Sequence, residues 1–234
     1  MPADTTKSQD VNLRVETLPG LREQVAERLR MAIVVGHFKP GERLIERELC
    51  DMMGVSRTSL REALRELQAD GIITLKPNKG MSVSVLTQET ARSIYEVRQM
   101  LEGLAARLFA RNATTQQMAD LRASVEDLAL VYQDFSAEAF IEVKGRFYDI
   151  LLAGAGNEVA ADMLRRIHTR ASQLRVVSLS RSERAQASIR ELRAFCDALE
   201  ARNEDLAWEL CLDHVQKAAQ AALNEIPEVS SKDA

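Results

Sequence analysis

A chain of 234 residues with 46% hydrophobic content can bury a sizeable core, as one larger domain or two smaller ones. Aromatic residues make up only 4% of it, and long Ala/Leu/Arg/Glu stretches favour helices over a β-sandwich. A formal net charge of −4, divided as +1 over residues 1–85 and −5 over residues 86–234, excludes a chain that coats nucleic acid along its whole surface, so any such contact must be a local patch.

In chain order, residues 1–10 are polar with no apolar core and read as no signal peptide, and residues 1–19 read as a disordered tail. Leu21, Val25, Leu29 and Ile33 recur at helical spacing and predict a first helix over 21–35, ending at Gly36. Glu46 to Met53 predict a short second helix, and Gly54 supplies the positive φ of a tight turn. Ser56 then caps a third helix on which Arg57, Arg61 and Arg65 share one face while Leu60, Leu64 and Leu67 share the other. Two apolar runs, Ile72 to Leu75 and Met81 to Val85, flank Lys-Pro-Asn-Lys-Gly and predict a β-hairpin wing with Lys79 and Gly80 at its tip. An ordinary amphipathic helix with a solvated arginine face is the alternative for 57–69, and the turn and wing argue against it.

Pro40-Gly41-Glu42-Arg43-Leu44, Glu48-Leu49, Gly54-Val55-Ser56-Arg57-Thr58, Leu60-Arg61-Glu62-Ala63-Leu64 and Asp70-Gly71 resemble the winged-helix domain of the GntR family of bacterial transcription factors, across residues 20–86. In the FadR-like branch, the resemblance implies DNA contacts from Arg47, Ser56, Arg57, Thr58, Arg61, Lys79 and Gly80. A recognition helix covers only a half-site, so a homodimer reading a pseudo-palindromic operator is expected.

Thr87 predicts the cap of the next helix with almost no linker before it. Six helices follow, over about 88–112, 115–132, 136–153, 158–178, 181–201 and 204–225, divided by a Thr114/Gln117 capping box, a break at Gly154, Gly156 and Asn157, and Asn203. The predicted fold is thus mainly α: a winged helix-turn-helix with a small β-hairpin over 20–86, then an all-α antiparallel bundle over 87–228. In the second part Tyr95-Glu96-Val97-Arg98, Leu101-Glu102, Arg146-Phe147, Ala155-Gly156-Asn157, Ala198-Leu199 and His214 resemble the FCD ligand-binding domain. That resemblance implies dimerisation and sensing of a small organic acid.

Many FCD domains hold a divalent metal with an Asp and three His, and this chain departs from the pattern. Lys144 stands at the Asp position, Tyr148 and Leu192 stand at two His positions, and only His214 remains, so no metal is expected. Lys144 interrupts the stripe Phe140, Phe147, Leu151, and Arg98 interrupts Ile94 and Leu101. Convergence of Arg98, Lys144, Tyr148 and His214 would invite an anionic ligand or an internal carboxylate. Alternatively Lys144 snorkels to solvent, Arg98 pairs with Glu102, and His214 is a hydrogen-bonded core residue.

Arg165, Arg166 and Arg170 read as a solvated or dimer-facing surface. Cys50, Cys196 and Cys211 are too scattered for a disulfide framework and suit a reduced, cytoplasmic setting; the two later ones read as core fillers. A small-molecule-processing enzyme is the competing class. It is disfavoured by the lack of a nucleophile motif, a glycine-rich phosphate loop or a His-Glu-x-x-His helix.

Overall fold

A computed structural model describes residues 20–76, 80–179 and 182–226. The tail over 1–19 and the wing residue Lys79 lie outside the described residues. The first domain contains α1 (Leu21–Val34), α2 (Glu46–Met53), α3 (Arg57–Ala69), β1 (Ile73–Lys76) and β2 (Gly80–Val83). Its core is the inward face predicted from spacing: Val25, Leu29 and Ile33 of α1 pack with Leu49 of α2 and with Leu60, Leu64 and Leu67 of α3. The strands pair antiparallel in the register Ile73↔Val83 to Lys76↔Gly80. The segment after Pro40 joins them through a bridge between Arg43 and Ser82, with Leu44 N–H donating to Met81 at 2.9 Å. That third edge was not predicted, since four residues with one apolar side chain carry no alternation to read.

The second domain is a helical bundle of α4 (Gln88–Asn112), α5 (Thr115–Val131), α6 (Ala137–Ala155), α7 (Glu158–Leu179), α8 (Ser182–Glu200) and α9 (Glu204–Leu223). Local hydrogen bonds set its boundaries. Thr87 accepts from the Thr90 N–H at 3.1 Å, Thr114 and Gln117 form a reciprocal capping box, and Asn203 accepts from the Leu206 N–H at 3.1 Å. Helix α4 runs through the middle, packed chiefly on α9 and also on α6 and α7, around a core that includes Phe109, Leu121, Phe140, Phe147, Leu164 and Val215.

One boundary differs from expectation. Gly154 does not break α6; the helix continues to Ala155, and Gly156 ends it in the left-handed region at φ 71°. Gly154 is required for packing instead, because a Cβ there would lie 2.4 Å from the Phe109 ring. Among the described residues no helix is long and apolar enough to cross a membrane.

Candidate nucleic-acid interface and effector cavity

The turn before α3 needs Gly54 at φ 65°, and Ser56 opens the helix by accepting from the Ser59 N–H at 3.2 Å. With Leu60, Leu64 and Leu67 fully buried, Arg57, Thr58, Arg61 and Arg65 stand exposed on the other side. Arg47 is exposed at the start of α2, next to Glu46. Both Glu46 carboxylate oxygens accept from Arg61 Nε, at 3.0 and 3.1 Å, so a base or phosphate must compete with that carboxylate for the guanidinium. Gly80 opens β2 at φ 77°. A Cβ there would lie 3.8 Å from Arg43 Nε, which places the Arg43 guanidinium at the base of the wing. Arg43 is a cation that periodicity alone did not single out, because its position depends on the edge pairing with Ser82.

In the bundle, Arg98 and Tyr148 come together around a carboxylate, and Lys144 lies over the Tyr148 ring. Glu102, only 2% exposed, accepts from Arg98 Nε at 2.6 Å and from the Tyr148 hydroxyl at 3.1 Å, and His168 Nε2 lies 2.8 Å away. Arg98 also donates to the Tyr148 oxygen at 3.3 Å and stacks over Tyr95. Burial opposes the charge on Arg98, but the adjacent Glu102 carboxylate more than offsets it and raises the guanidinium pKa above its ordinary value. The i, i+4 pairing of Arg98 with Glu102 is therefore realised.

Lys144 does not reach out to solvent. It is buried, with Nζ 4.3 Å from the centre of the Phe147 ring and 5.0 Å from that of Tyr148.

A cavity of about 350 Å³ opens beside this cluster, lined by Lys144, Tyr148 and Leu152 of α6, by Arg165 and His168 of α7, and by Arg30 and Met31 of α1 among others. Arg98 stands behind Tyr148 and is not part of its lining.

His214 belongs to a neighbouring group. Its Nδ1 lies 2.7 Å from Glu191, which also accepts two hydrogen bonds from Arg184 at 2.9 Å each. His168, Glu102 and Glu191 were missing from the expected site; Glu102 was legible only as the i, i+4 partner of Arg98, and His168 only as the polar member of the buried stripe Ala161, Leu164, His168, Ala171. Arg170 departs from the expectation of a solvated surface. It leans on the turn after α3, with Nε 3.1 Å from where a Gly71 Cβ would stand.

The profile of the FCD domain matches residues 93–217, and that of bacterial regulatory proteins of the gntR family matches residues 21–83. The chain belongs to the GntR family. Its FCD domain places it in the FadR-like branch of DNA-binding transcriptional regulators, not among enzymes. This GntR regulator is 33% identical over 184 residues to the Nta operon transcriptional regulator of Aminobacter aminovorans, covering 77% of its own length and 84% of that protein. It is 28% identical over 192 residues to the uncharacterized HTH-type transcriptional regulator YdhC of Bacillus subtilis, covering 82% and 86%. The solved structure of E. coli McbR/YncC has the same fold, with a TM-score of 0.77 at 22% identity over 88% of this chain and 98% of that one.

In this GntR regulator, burial holds the His214 imidazole pKa down at about 4, against the opposing hydrogen bond to Glu191. Burial pushes the other way on Glu191, yet the hydrogen bonds from His214 and Arg184 bring it down to about 2. His214 is thus neutral near pH 7 and donates through Nδ1. Below pH 6.5 the unfolded chain protonates this residue while the folded chain does not until about 4, so stability falls with acid across that window. Between pH 7 and pH 5 the loss should be about 2 kcal/mol. Urea denaturation of wild type and His214→Gln at both pH values checks it, and equal pH dependence in the two proteins would show that His214 is not the source.

Proposed function

We propose that this regulator binds a pseudo-palindromic operator as a cytoplasmic homodimer, and that a small organic acid held in the FCD domain modulates its affinity for DNA. Residues 20–86 form the DNA-binding unit and residues 87–228 the effector-binding and dimerising unit. Arg47, Ser56, Arg57, Thr58, Arg61 and Gly80 contact the operator, together with Lys79 at the wing. Arg57 and Arg61 read base edges while Ser56 and the helix N-terminus hold phosphate.

The observation that carries the effector reading is the buried cation Lys144 lining a cavity of about 350 Å³ alongside Tyr148 and His168. In this reading Lys144 meets the carboxylate, and Tyr148, whose hydroxyl proton goes to Glu102, lines the site beside it. Arg98 acts one step behind, holding Tyr148 through the shared Glu102, and neutral His214, near enough to Lys144 to feel its charge, does not repel an anion.

The residues present do not fit the metal that many FCD relatives hold. An ammonium replaces the carboxylate ligand, the Tyr148 hydroxyl is spent on Glu102, and His214 Nδ1 is turned to Glu191. Among the described residues no group of three or more His, Cys, Asp and Glu side chains could hold an ion. A direct charge contact takes the role of the metal.

Operator binding is to be measured by electrophoretic shift with and without aliphatic carboxylates, in the presence of a chelator. The acid should still act with metal removed, and Lys144→Ala should weaken the acid's binding by about 2 kcal/mol, as expected for a desolvated charged hydrogen bond. Operator affinity without acid should stay near that of wild type. A stoichiometric transition metal at His214, or a Lys144→Ala protein that responds normally, overturns the reading.

A further inference from the structure

The cavity beside Lys144 is closed on one side by the other domain. Glu27, Arg30, Met31 and Val34 all belong to α1 of the winged helix, yet they line the same space as Lys144 and His168 of the bundle. We propose that the effector site is bipartite: α1 supplies part of the surface that holds the organic anion, and Arg30 joins occupancy of the site to the recognition helix. This inference rests on the reading of the cavity as the effector site.

Arg30 touches both sides of that connection. Its side chain is 19% exposed, lines the cavity, and donates to Asp70 at 3.0 Å and to Glu66 at 3.4 Å, besides pairing with Glu27 on its own helix. Glu66 lies in the last turn of α3 and Asp70 is its C-cap, so one guanidinium links the cavity wall to the end of the helix that carries Arg57 and Arg61. Its Nε is buried and has no hydrogen-bond partner among the described residues, leaving one donor uncommitted.

A second connection runs in parallel. Helix α7 brings His168 to the cavity and, two residues on, lays Arg170 against Gly71, directly after Asp70.

Size and lining specify the ligand class. About 350 Å³ sits at the low end of the range of roughly 300–1,000 Å³ usual for small-molecule pockets, which fits a short acid rather than a nucleotide cofactor. Met31, Val34, Phe140, Ile141 and Leu152 give an apolar lining for a hydrocarbon skeleton, with Lys144 and Arg165 from one domain and Arg30 from the other as cations that outnumber the carboxylates of Glu27 and Asp149. A short aliphatic carboxylate matches this distribution.

The bipartite construction also supplies the energetic requirement for regulation. A ligand shifts an equilibrium only by its difference in affinity for the two states. If the winged helix moves relative to the bundle, a site built from both domains changes shape, so that difference arises from the construction itself. By linkage, operator DNA must alter the affinity for the acid by the same factor.

The test titrates linear aliphatic mono- and dicarboxylates, from acetate to adipate, into the full-length protein by calorimetry. Wild type, Lys144→Ala, Arg30→Gln and Met31→Trp are compared, with far-ultraviolet circular dichroism to verify folding. Arg30→Gln, which removes the charge, and Met31→Trp, which fills the cavity from the α1 side, should each weaken the tightest-binding acid by about tenfold or more. On wild type, the saturating acid should slow amide hydrogen exchange over residues 21–34 as well as 137–155, a readout independent of whether either variant folds. If Lys144→Ala loses binding while both α1 variants bind as wild type and exchange over 21–34 is unchanged, the bipartite site is overturned and the bundle site stands. If none of these acids binds wild type, both readings fall together.

Discussion

Replacing Glu102 with alanine should lower the stability of this regulator by about 3–5 kcal/mol, the usual consequence of removing one partner of a buried ion pair. The magnitude follows from what is left behind. Arg98 is only 1% exposed, its Nη1 has no partner among the described residues, and a guanidinium does not shed its proton to escape the desolvation. Without Glu102 the Tyr148 hydroxyl loses its acceptor at 3.1 Å and His168 its neighbour at 2.8 Å.

Glu102→Gln keeps the shape and some of the hydrogen bonds but not the charge, and should fall between wild type and Glu102→Ala. An Arg98→Met/Glu102→Leu double variant should recover most of the loss, because a well-packed apolar pair avoids the cost of desolvating two ions. Urea denaturation at fixed protein concentration measures all three. A Glu102→Ala loss below about 1 kcal/mol would mean that Arg98 finds solvent by a small rearrangement, and the cluster would then not be a rigid wall for the cavity.

What could be read from the chain divides by the range of the interaction responsible. Helix starts at Ser56, Thr87, Thr114 and Asn203 were legible because each cap bonds an amide three residues away, and the Gly54 turn was legible because its left-handed backbone is a local demand. The pairing of Arg98 with Glu102 was open to view for the same reason. Gly154 misled because its role depends on the Phe109 ring from another helix, which no local pattern encodes.

The partners of the cluster were hidden by distance along the chain. His168 reaches Glu102 from 66 residues away, and Glu191 reaches His214 from 23, each on a different helix. The expected set of Arg98, Lys144, Tyr148 and His214 therefore separates into two adjoining groups, one built on Glu102, which spacing paired only with Arg98, and one on Glu191, which spacing did not assign. The wall supplied by α1 was the least legible of all. It depends on how two independently patterned domains meet, and the residues involved, Arg30 and Met31, lie off the spacing of Leu21, Val25, Leu29 and Ile33 that marks the helix.

The recognition helix carries the second large effect. An Arg57→Ala/Arg61→Ala protein should lose roughly 2–6 kcal/mol of discrimination between operator and random DNA if each arginine makes a bidentate contact to a guanine, since one such contact is worth about 1–3 kcal/mol. Both side chains are exposed on the first turn and a half of α3, and the leucines on its opposite face are fully buried, so the substitutions should leave the fold intact. Arg61 enters the contact from its pair with Glu46; Glu46→Gln should therefore raise operator affinity modestly by freeing the guanidinium, while leaving Arg57 unaffected. Lys79→Ala should act differently, weakening all DNA sequences alike and lowering the dependence of affinity on salt by about one counterion. Fluorescence anisotropy on operator and scrambled duplexes across a salt series separates the two kinds of contact. An equal loss on both duplexes for the arginine variant would assign Arg57 and Arg61 to phosphate, and base reading would then have to come from elsewhere on the exposed face, with Arg47 and Thr58 the side chains placed to supply it.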